Sequence, residues 1–505
     1  MAHSSESTDI RQVNDDWTLP FDVMSIVMAT SHRSTISALM KSCRVLYSEG
    51  PKYLLCDGVE LGSTHRIVPF ANFMLTEDPS RFAHLRTLDL SLRLYLGCLA
   101  QARLTDILSH PSLVLETLIL RHGELLLEGA RVAPLREAFG RLKTIKHLVV
   151  RGVREESASM IKSLPSKLES ISIGVYDIDE SDVDLLSMLE PFSNTLHTLL
   201  LKSVPYIPAP VSAVESPGPC AFPHVRTFGV VCHDPGAVTA LLASPVFARA
   251  FPTITDLELV PTDPPTPLHQ SALHRPWQLD RAIRLRERNR VQRLRYGDSA
   301  FPALSSLREC SGRLFDVYAL ALGHTLSTLR LWQDVGTGDF PMLRAVLEDT
   351  CPECLCLGTE TANDVERLSA TLRTLQHQTP PRIDLNMSVA VSSWCYPLKR
   401  KFLQERFRSL LEPLLQPPPP GLVELNVFFT ITDPAESFRE QPMIDDALGE
   451  VEHWVGIAVP SLTFTCDIDE DWEWPDLGQE DDEDVDDMDA AYDVEKEYDY
   501  DSDPV

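Results

Sequence analysis

Long apolar runs are missing from this chain of 505 residues. A membrane-spanning helix needs about 18 or more consecutive apolar residues, and the sequence has no such run. The first residues, MAHSSESTDIRQVNDDW, also lack the apolar segment of a signal peptide. We therefore expect no membrane partner and a location in the cytoplasm or the nucleus.

A disulfide framework is missing too, because the eleven cysteines are odd in number and scattered through apolar segments. This pattern is typical of reduced, buried thiols. The closest cluster is CPECLC at 351–356, and one C-x-x-C binds zinc only if a second pair of ligands converges on it. Since Cys354 and Cys356 alternate along a predicted strand, we interpret them as buried structural residues and expect no metal site.

Enzyme signatures are also missing. The sequence contains no G-x-x-x-x-G-K-[ST], no G-x-G-x-x-G, no H-E-x-x-H and no G-x-S-x-G motif. Its fifteen histidines are dispersed without a ligand-spaced pair. We therefore expect no enzyme activity, no catalytic residues and no cofactor.

Basic charge is scarce, and the acidic excess is concentrated at one end. Twenty acidic residues and one Lys lie from Asp467 onward, so −19 of the net charge of −29 belongs to residues 467–505. An acidic chain repels phosphate backbones, and we expect no nucleic-acid partner. These residues are also too charged and too poor in aliphatic side chains to fold alone, which predicts a disordered acidic tail.

One motif recurs from about residue 80 onward, namely L-x-x-L-x-L with Val, Ile or Phe variants. The first seven copies start 30, 30, 23, 28, 29 and 29 residues apart. In chain order the copies are LRTLDL, LETLIL, IKHLVV, LESISI, LHTLLL, VRTFGV, ITDLEL, LSTLRL, a weaker PECLCL and LVELNV. Such a period predicts a solenoid in which each unit adds one short strand and one helix to a continuous core.

These repeats resemble leucine-rich repeats over about residues 80–465, which implies an α/β horseshoe. Arg93, Gly123 and Val153 stand where that family usually has Asn or Cys, so we expect an irregular, helix-rich form. Helices are predicted between the strands, for example over Ala237–Ala250 and Asn363–Leu375. Proline-rich or out-of-period segments at about 204–223 and 261–300 predict insertions.

The segment LPFDVMSIVM at 19–28 precedes the repeats. Pro20 lacks the N–H that a first-turn residue leaves unpaired, and this favours a helix start there. A second helix with Ser34 or Thr35 as N-cap is predicted from apolar residues at i, i+3, i+4 and i+7, which are Ile36, Leu39, Met40 and Cys43. Pro51 is expected to open a further helix. The helical pattern alone leaves open whether these helices cap the solenoid or bind a partner.

The residue order in LPFDVMSIVMATSHRSTISALMKSCRVLYSEGPKYLL resembles an F-box, followed by degenerate leucine-rich repeats of the fungal type. The resemblance implies that the N-terminal helices bind a Skp-type adaptor of a cullin-RING ubiquitin ligase. The repeats would then hold an unknown protein substrate. The residues that the resemblance assigns to docking are Leu19, Pro20, Ile26, Val27, Leu39 and Cys43. The alternative is a non-ligase, leucine-rich-repeat-like scaffold whose N-terminal helices only cap the solenoid.

Residues 275–295 contain eight arginines and predict an insertion helix whose leucines at 279, 285 and 294 face the solenoid. A candidate patch for an acidic partner, either the chain's own tail or an acidic substrate, is formed by Arg281, Arg284, Arg288 and Arg295. The predicted organisation is a disordered N-terminus (1–16), an all-α F-box-like module (17–57), the α/β solenoid (58–466) and the acidic tail (467–505).

Overall fold

A computed structural model gives the structure. It describes residues 21–75, 79–92, 96–127, 130–174, 184–202, 221–231, 235–260, 276–296, 304–336, 338–359, 361–375, 378–389, 400–431 and 437–468. The chain divides into two compact units, which are Met1–Pro205 with Ser216–His224, and Tyr206–Glu215 with Val225–Val505. The predicted disordered N-terminus, the insertion at about 204–223 and all but the first two residues of the predicted tail lie largely or wholly outside the described residues.

The described part of the first unit contains six strands in chain order, each parallel to the next. They are β1 (Val59–Leu61), β2 (Thr87–Leu90), β3 (Thr117–Leu120), β4 (His147–Arg151), β5 (Ser170–Gly174) and β6 (Thr198–Leu201). Its helices are α1 (Phe21–Thr30), α2 (Arg33–Met40), α3 (Arg44–Leu55), α4 (Thr64–Leu75), α5 (Cys98–Leu108), α6 (Gly123–Leu127), α7 (Ala133–Phe139), α8 (Glu155–Ser163) and α9 (Leu185–Leu189).

The described part of the second unit contains eight strands, again parallel and in chain order. They are β7 (Thr227–Val231), β8 (Asp256–Val260), β9 (Glu309–Gly312), β10 (Thr328–Asp334), β11 (Cys354–Thr359), β12 (Arg382–Val389), β13 (Glu424–Ile431) and β14 (Thr463–Ile468). Its helices are α10 (Pro235–Leu242), α11 (Pro245–Ala250), α12 (Pro276–Tyr296), α13 (Leu314–Leu320), α14 (Phe340–Thr350), α15 (Ala362–Thr374), α16 (Arg400–Leu415) and α17 (Ser437–Ala458).

The repeat motif forms the core because its apolar positions align between neighbouring strands. Leu88 pairs with Leu118, and Leu118 pairs with Leu148. All three are at most 1% exposed. Since successive strand residues point to opposite faces, this register puts every motif residue of a face into the same apolar layer. Burying each such side chain contributes about 1.5–3 kcal/mol.

All ten motif copies contain a strand, which confirms the predicted alternation of parallel strands and helices and is consistent with a solenoid-like α/β fold. Four strands lie outside the motif copies, namely β1, β9, β12 and β14. The predicted helix over Ala237–Ala250 is wrong in one respect, because it is two helices. Pro245 starts the second of them, and Ser244 caps it by accepting a bond from Phe247 N at 3.4 Å.

The N-terminal segment forms three helices, as the sequence predicted, but their boundaries differ. His32 is the N-cap of α2 and accepts a bond from Ser34 N, so the predicted Ser34 or Thr35 cap is wrong. Pro51 lies inside α3 and does not start a new helix. In the part of the chain that the structure describes, every helix is too short or too polar to cross a membrane.

Candidate functional site

Helices α1 and α3 carry a concentration of exposed apolar side chains. On α1, Val23 is 41%, Ile26 64% and Val27 38% exposed. On α3, Val45 is 55% and Tyr47 38% exposed. Val23, Ile26 and Val27 lie on one side of α1 and are here called the N-terminal apolar face, whereas Val45 and Tyr47 lie two residues apart on α3 and point to different sides of that helix. Isolated exposed apolar residues are ordinary, but three on one side of a ten-residue helix are typical of an interaction surface.

The structure divides the six predicted docking residues. Leu19 and Pro20 lie outside the described residues. Ile26, Val27 and Cys43 are exposed, and Leu39 is half-buried. Cys43 has extended backbone geometry and is the N-cap of α3, so it marks the turn between the second and third helices.

Val23 of the N-terminal apolar face and the exposed Val45 and Tyr47 of α3 were not among the predicted docking residues. The sequence signal for Val23 is its spacing from Ile26, because helical residues that are three apart lie on the same side of the helix. The small core under the face consists of Met28, Ile36, Met40 and Leu46, each at most 5% exposed. The methionine side of α1 therefore points inward and the Val/Ile side outward.

Two arginines join the three helices to the rest of the first unit. Arg33 donates from Nη2 to the Gly58 carbonyl oxygen at 2.7 Å. The Arg81 guanidinium lies 5.1 Å from the Tyr47 ring centre and 4.4 Å from that of Phe73, so it connects α3 to α4. These contacts hold the helices against the rest of the first unit, and the N-terminal apolar face stays exposed.

A second surface runs across the strands of the second unit. Alternate strand positions carry polar side chains on the face opposite the apolar layer, and the strand register aligns them in two rows. We call them the polar ladder: Asp256, Glu309, Thr328, Cys354, Arg382, Glu424 and Thr463 in one row, and Glu258, Ser311, Arg330, Cys356, Asp384, Asn426 and Thr465 in the other. Burial and the neighbouring Asp256 raise the pKa of Glu258, and Arg330 opposes the shift.

Asp384 is the best-connected residue of the polar ladder. Arg382 donates to Asp384 Oδ1 from Nε at 3.0 Å and to Oδ2 from Nη2 at 3.2 Å. Asn426 Nδ2 donates to Oδ1 at 2.7 Å, and Thr465 Oγ1 donates to Asn426 Oδ1 at 2.5 Å. Burial opposes ionisation of Asp384, but the bonds from Arg382 and Asn426 outweigh it, so its pKa is lowered. The carboxylate is therefore charged and held in one orientation.

Two thiols lie against this carboxylate. Cys354 and Cys356 have their Sγ atoms 3.8 Å apart, and each Sγ is 3.5 Å from Asp384 Oδ2. The hydrogen bond between the thiols raises the pKa of Cys354 and lowers that of Cys356. Cys356 is buried, as the sequence predicted, but Cys354 is half-buried and both lie on the polar ladder. Within the described residues, these three side chains form the group whose ligand atoms are close enough together to share a metal ion.

Helix α12 is the predicted arginine-rich helix, and it presents part of the predicted basic patch. Arg284, Arg288 and Arg295 are exposed, whereas Arg281 is half-buried. Of the three leucines expected to face the solenoid, Leu285 packs against a buried cluster and Leu279 is half-buried, but Leu294 is 85% exposed. The placement predicted for Leu294 is therefore wrong, because the buried side of the helix is the one that carries Ala282, Arg286 and Asn289.

Two polar residues that the sequence did not single out hold α12 in place. The Arg286 side chain, 8% exposed, bonds to the Tyr318 and Ala345 carbonyl oxygens at 3.0 Å each and to Asp349 Oδ2 at 2.5 Å. Asn289 is fully buried and donates to the Ala319 carbonyl oxygen at 2.8 Å. Burial raises the pKa of Asp349, and Arg286 opposes that shift.

No family model matches the chain, and no curated protein matches it either. The fold and the surfaces above define an α/β repeat protein, in which parallel strands follow chain order and alternate with helices. Its described candidate sites are an exposed apolar helical face, a polar strand face and a basic helix.

Proposed function

We propose that this chain is a substrate-recruiting, F-box-like subunit of a Skp/cullin/RING ubiquitin ligase. The N-terminal helices bind the Skp-type adaptor, the repeats hold a protein substrate, and other subunits carry out the bond chemistry. Such a protein works in the cytoplasm or the nucleus. The observation that carries the proposal is the exposure of the N-terminal apolar face.

The alternative function, a scaffold whose N-terminal helices only cap the repeats, requires the opposite placement. A cap buries its apolar side against the first repeat. Ile26 is 64% exposed and Val23 41% exposed, and both lie on the outer side of α1. An outward apolar helix face fits the helix-in-groove mode of protein recognition, which favours docking over capping.

Substrate binding is assigned to the strand face and to α12. The polar ladder offers side chains of both charges from seven neighbouring strands, and repeat proteins use such extended surfaces to bind other proteins. Arg284, Arg288 and Arg295 add an exposed basic surface that suits an acidic substrate or the chain's own acidic residues.

The test is calorimetric titration of the full-length chain with a purified Skp-type adaptor. The Ile26→Ala variant removes three side-chain carbons at about 0.8 kcal/mol each. Because 64% of the residue is exposed in the free chain, the loss on binding is about 1.5 kcal/mol, or roughly tenfold in Kd.

The matched control is Ile457→Ala, the same change at a residue of α17 that is 67% exposed. We expect the control to bind as tightly as the wild type. A wild type that shows no adaptor binding at micromolar concentration removes the ligase proposal. Equal weakening by both variants removes the assignment of the docking surface to α1.

A further inference from the structure

The strand geometry brings together donors that lie far apart in the sequence. Cys354 and Cys356 are two residues apart on β11, so both side chains project from the face opposite the buried Leu355. The parallel register pairs Cys356 with Asp384 on β12. Two sulfur donors and one carboxylate oxygen therefore meet at one point of the polar ladder.

The three atoms have the spacing of one face of a coordination tetrahedron. With Zn–S bonds of about 2.3 Å and a Zn–O bond of about 2.0 Å, a tetrahedral Zn²⁺ places its sulfur ligands about 3.8 Å apart and each sulfur about 3.5 Å from the oxygen. The observed separations are 3.8 Å between the two Sγ atoms and 3.5 Å from each Sγ to Asp384 Oδ2. The distances between the three donor atoms therefore match those of a tetrahedral zinc site.

The surroundings also suit a divalent cation bound by thiolates. Two thiolates and one carboxylate carry a charge of −3, which Zn²⁺ reduces to −1. The guanidinium groups of Arg330 and Arg382 lie next to the site, and each also interacts with a second carboxylate, that of Glu258 or Glu424. Asn426 and Arg382 both donate to Asp384 Oδ1, and Arg382 Nη2 also donates to Oδ2 at 3.2 Å, so these bonds hold the carboxylate with Oδ2 toward the sulfurs. Hydrogen bonds of this kind to a carboxylate orient metal ligands and tune their affinity.

We propose that Cys354, Cys356 and Asp384 form a Zn²⁺ site on the polar ladder. On binding, each thiol releases its proton to solvent, and each sulfur donates an electron pair to the metal. Three protein ligands leave the fourth position to water or to a group of a bound partner, as in open zinc sites. The site is independent of the proposed adaptor docking, since it uses other residues in the other unit.

The test uses the full-length reduced chain and Co²⁺ as a spectroscopic substitute for Zn²⁺. We expect one metal ion per chain with sulfur-to-cobalt charge-transfer absorption, and displacement by Zn²⁺. Cys354→Ser and Cys356→Ser are each expected to weaken this absorption and the double variant to abolish it, and Asp384→Asn is expected to weaken binding more than about tenfold. Cys351→Ser, a half-buried cysteine outside the group, is expected to bind like the wild type.

A second readout guards against variants that fail to fold. Zn²⁺ should raise the Tm of the wild type and of Cys351→Ser, because it binds the folded state, and should leave the Tm of the double variant unchanged. A reduced wild type that binds no metal overturns the proposal. So does a charge-transfer band that persists when Cys354 and Cys356 are both replaced by Ser, because the thiolates would then come from other cysteines.

Discussion

Replacing Arg286 by alanine is expected to release helix α12 from the second unit. The guanidinium is 8% exposed and bonds to the carbonyl oxygens of Tyr318 and Ala345 and to the carboxylate of Asp349. Alanine leaves all three acceptors without this donor. The tip of the side chain also stacks on Tyr318, with 4.4 Å from the guanidinium carbon to the ring centre, so packing is lost together with charge.

The magnitude follows from the burial of the partners. Removing one member of a buried ion pair costs about 3–5 kcal/mol, because the other charge stays buried without compensation. The Asp349 side chain is 23% exposed, and water will replace part of the lost interaction, so we expect about 2–4 kcal/mol. For a unit of this size that lowers the Tm by roughly 5 °C or more.

Thermal unfolding followed by circular dichroism measures the loss of stability in Arg286→Ala. Hydrogen exchange of the α12 amides shows whether the helix is released locally. Arg284→Ala is the matched control, because it removes the same charge from an exposed position of the same helix. We expect the control to change stability by less than about 0.5 kcal/mol. If the two variants agree within about 1 °C in Tm and their α12 amides exchange hydrogen at equal rates, Arg286 does not hold α12 in place.

Two further predictions concern pH and backbone geometry. Burial raises the pKa of Glu258 above its ordinary 4.5, so its contribution to stability is present below pH 4.5 and is lost as the pH rises through the raised value. Glu258→Gln should therefore raise the Tm at neutral pH but not below pH 4.5. The control Glu309→Gln, at an exposed position of β9, should change the Tm equally at both pH values. If both variants show the same pH dependence of Tm, the burial argument is contradicted. Gly58 has φ +87° and an added Cβ would lie 2.8 Å from Thr87 Cβ, so Gly58→Ala should destabilise the first unit by about 1–3 kcal/mol in denaturant unfolding. Gly62→Ala, where a Cβ meets no atom within 4 Å, is the control, and similar losses in both variants would rule out strain at Gly58.

Much of the fold could be read from the sequence because the signal for a repeat strand is local. An apolar residue at each of three fixed positions defines the buried face of one strand. Nine copies follow that rule in full, and the weaker tenth, PECLCL, has Pro352 at the first position. The strands that were not predicted have a residue of another type at one of these three positions. Gly312 occupies the last position in β9, where a Cβ would lie 2.7 Å from Leu259 Cβ. In β12 and β14 the first position holds Pro380 and Ser461.

The candidate sites were less predictable, because exposure and contact are set by neighbours that are distant in the chain. The sequence located the amphipathic helix that contains Ile26 and the arginines of α12. Packing decided which side of each helix faces water. Ile26 is therefore exposed, whereas Arg286 is buried and bonds to three acceptors. An arginine with no nearby acidic residue of matching spacing gives no sign in the sequence that it will become an internal anchor.

The pair Cys354 and Cys356 shows most clearly what the sequence determines and what only the tertiary structure decides. Their spacing of two residues determined that both side chains share one face of a strand, and that inference needed only the geometry of an extended chain. The carboxylate that meets them comes from a strand that does not match the repeat motif, 28 residues further along. Only the parallel register of β11 and β12 brings Asp384 to the thiols, because hydrogen bonds between strands, and not distance along the chain, decide which residues become neighbours.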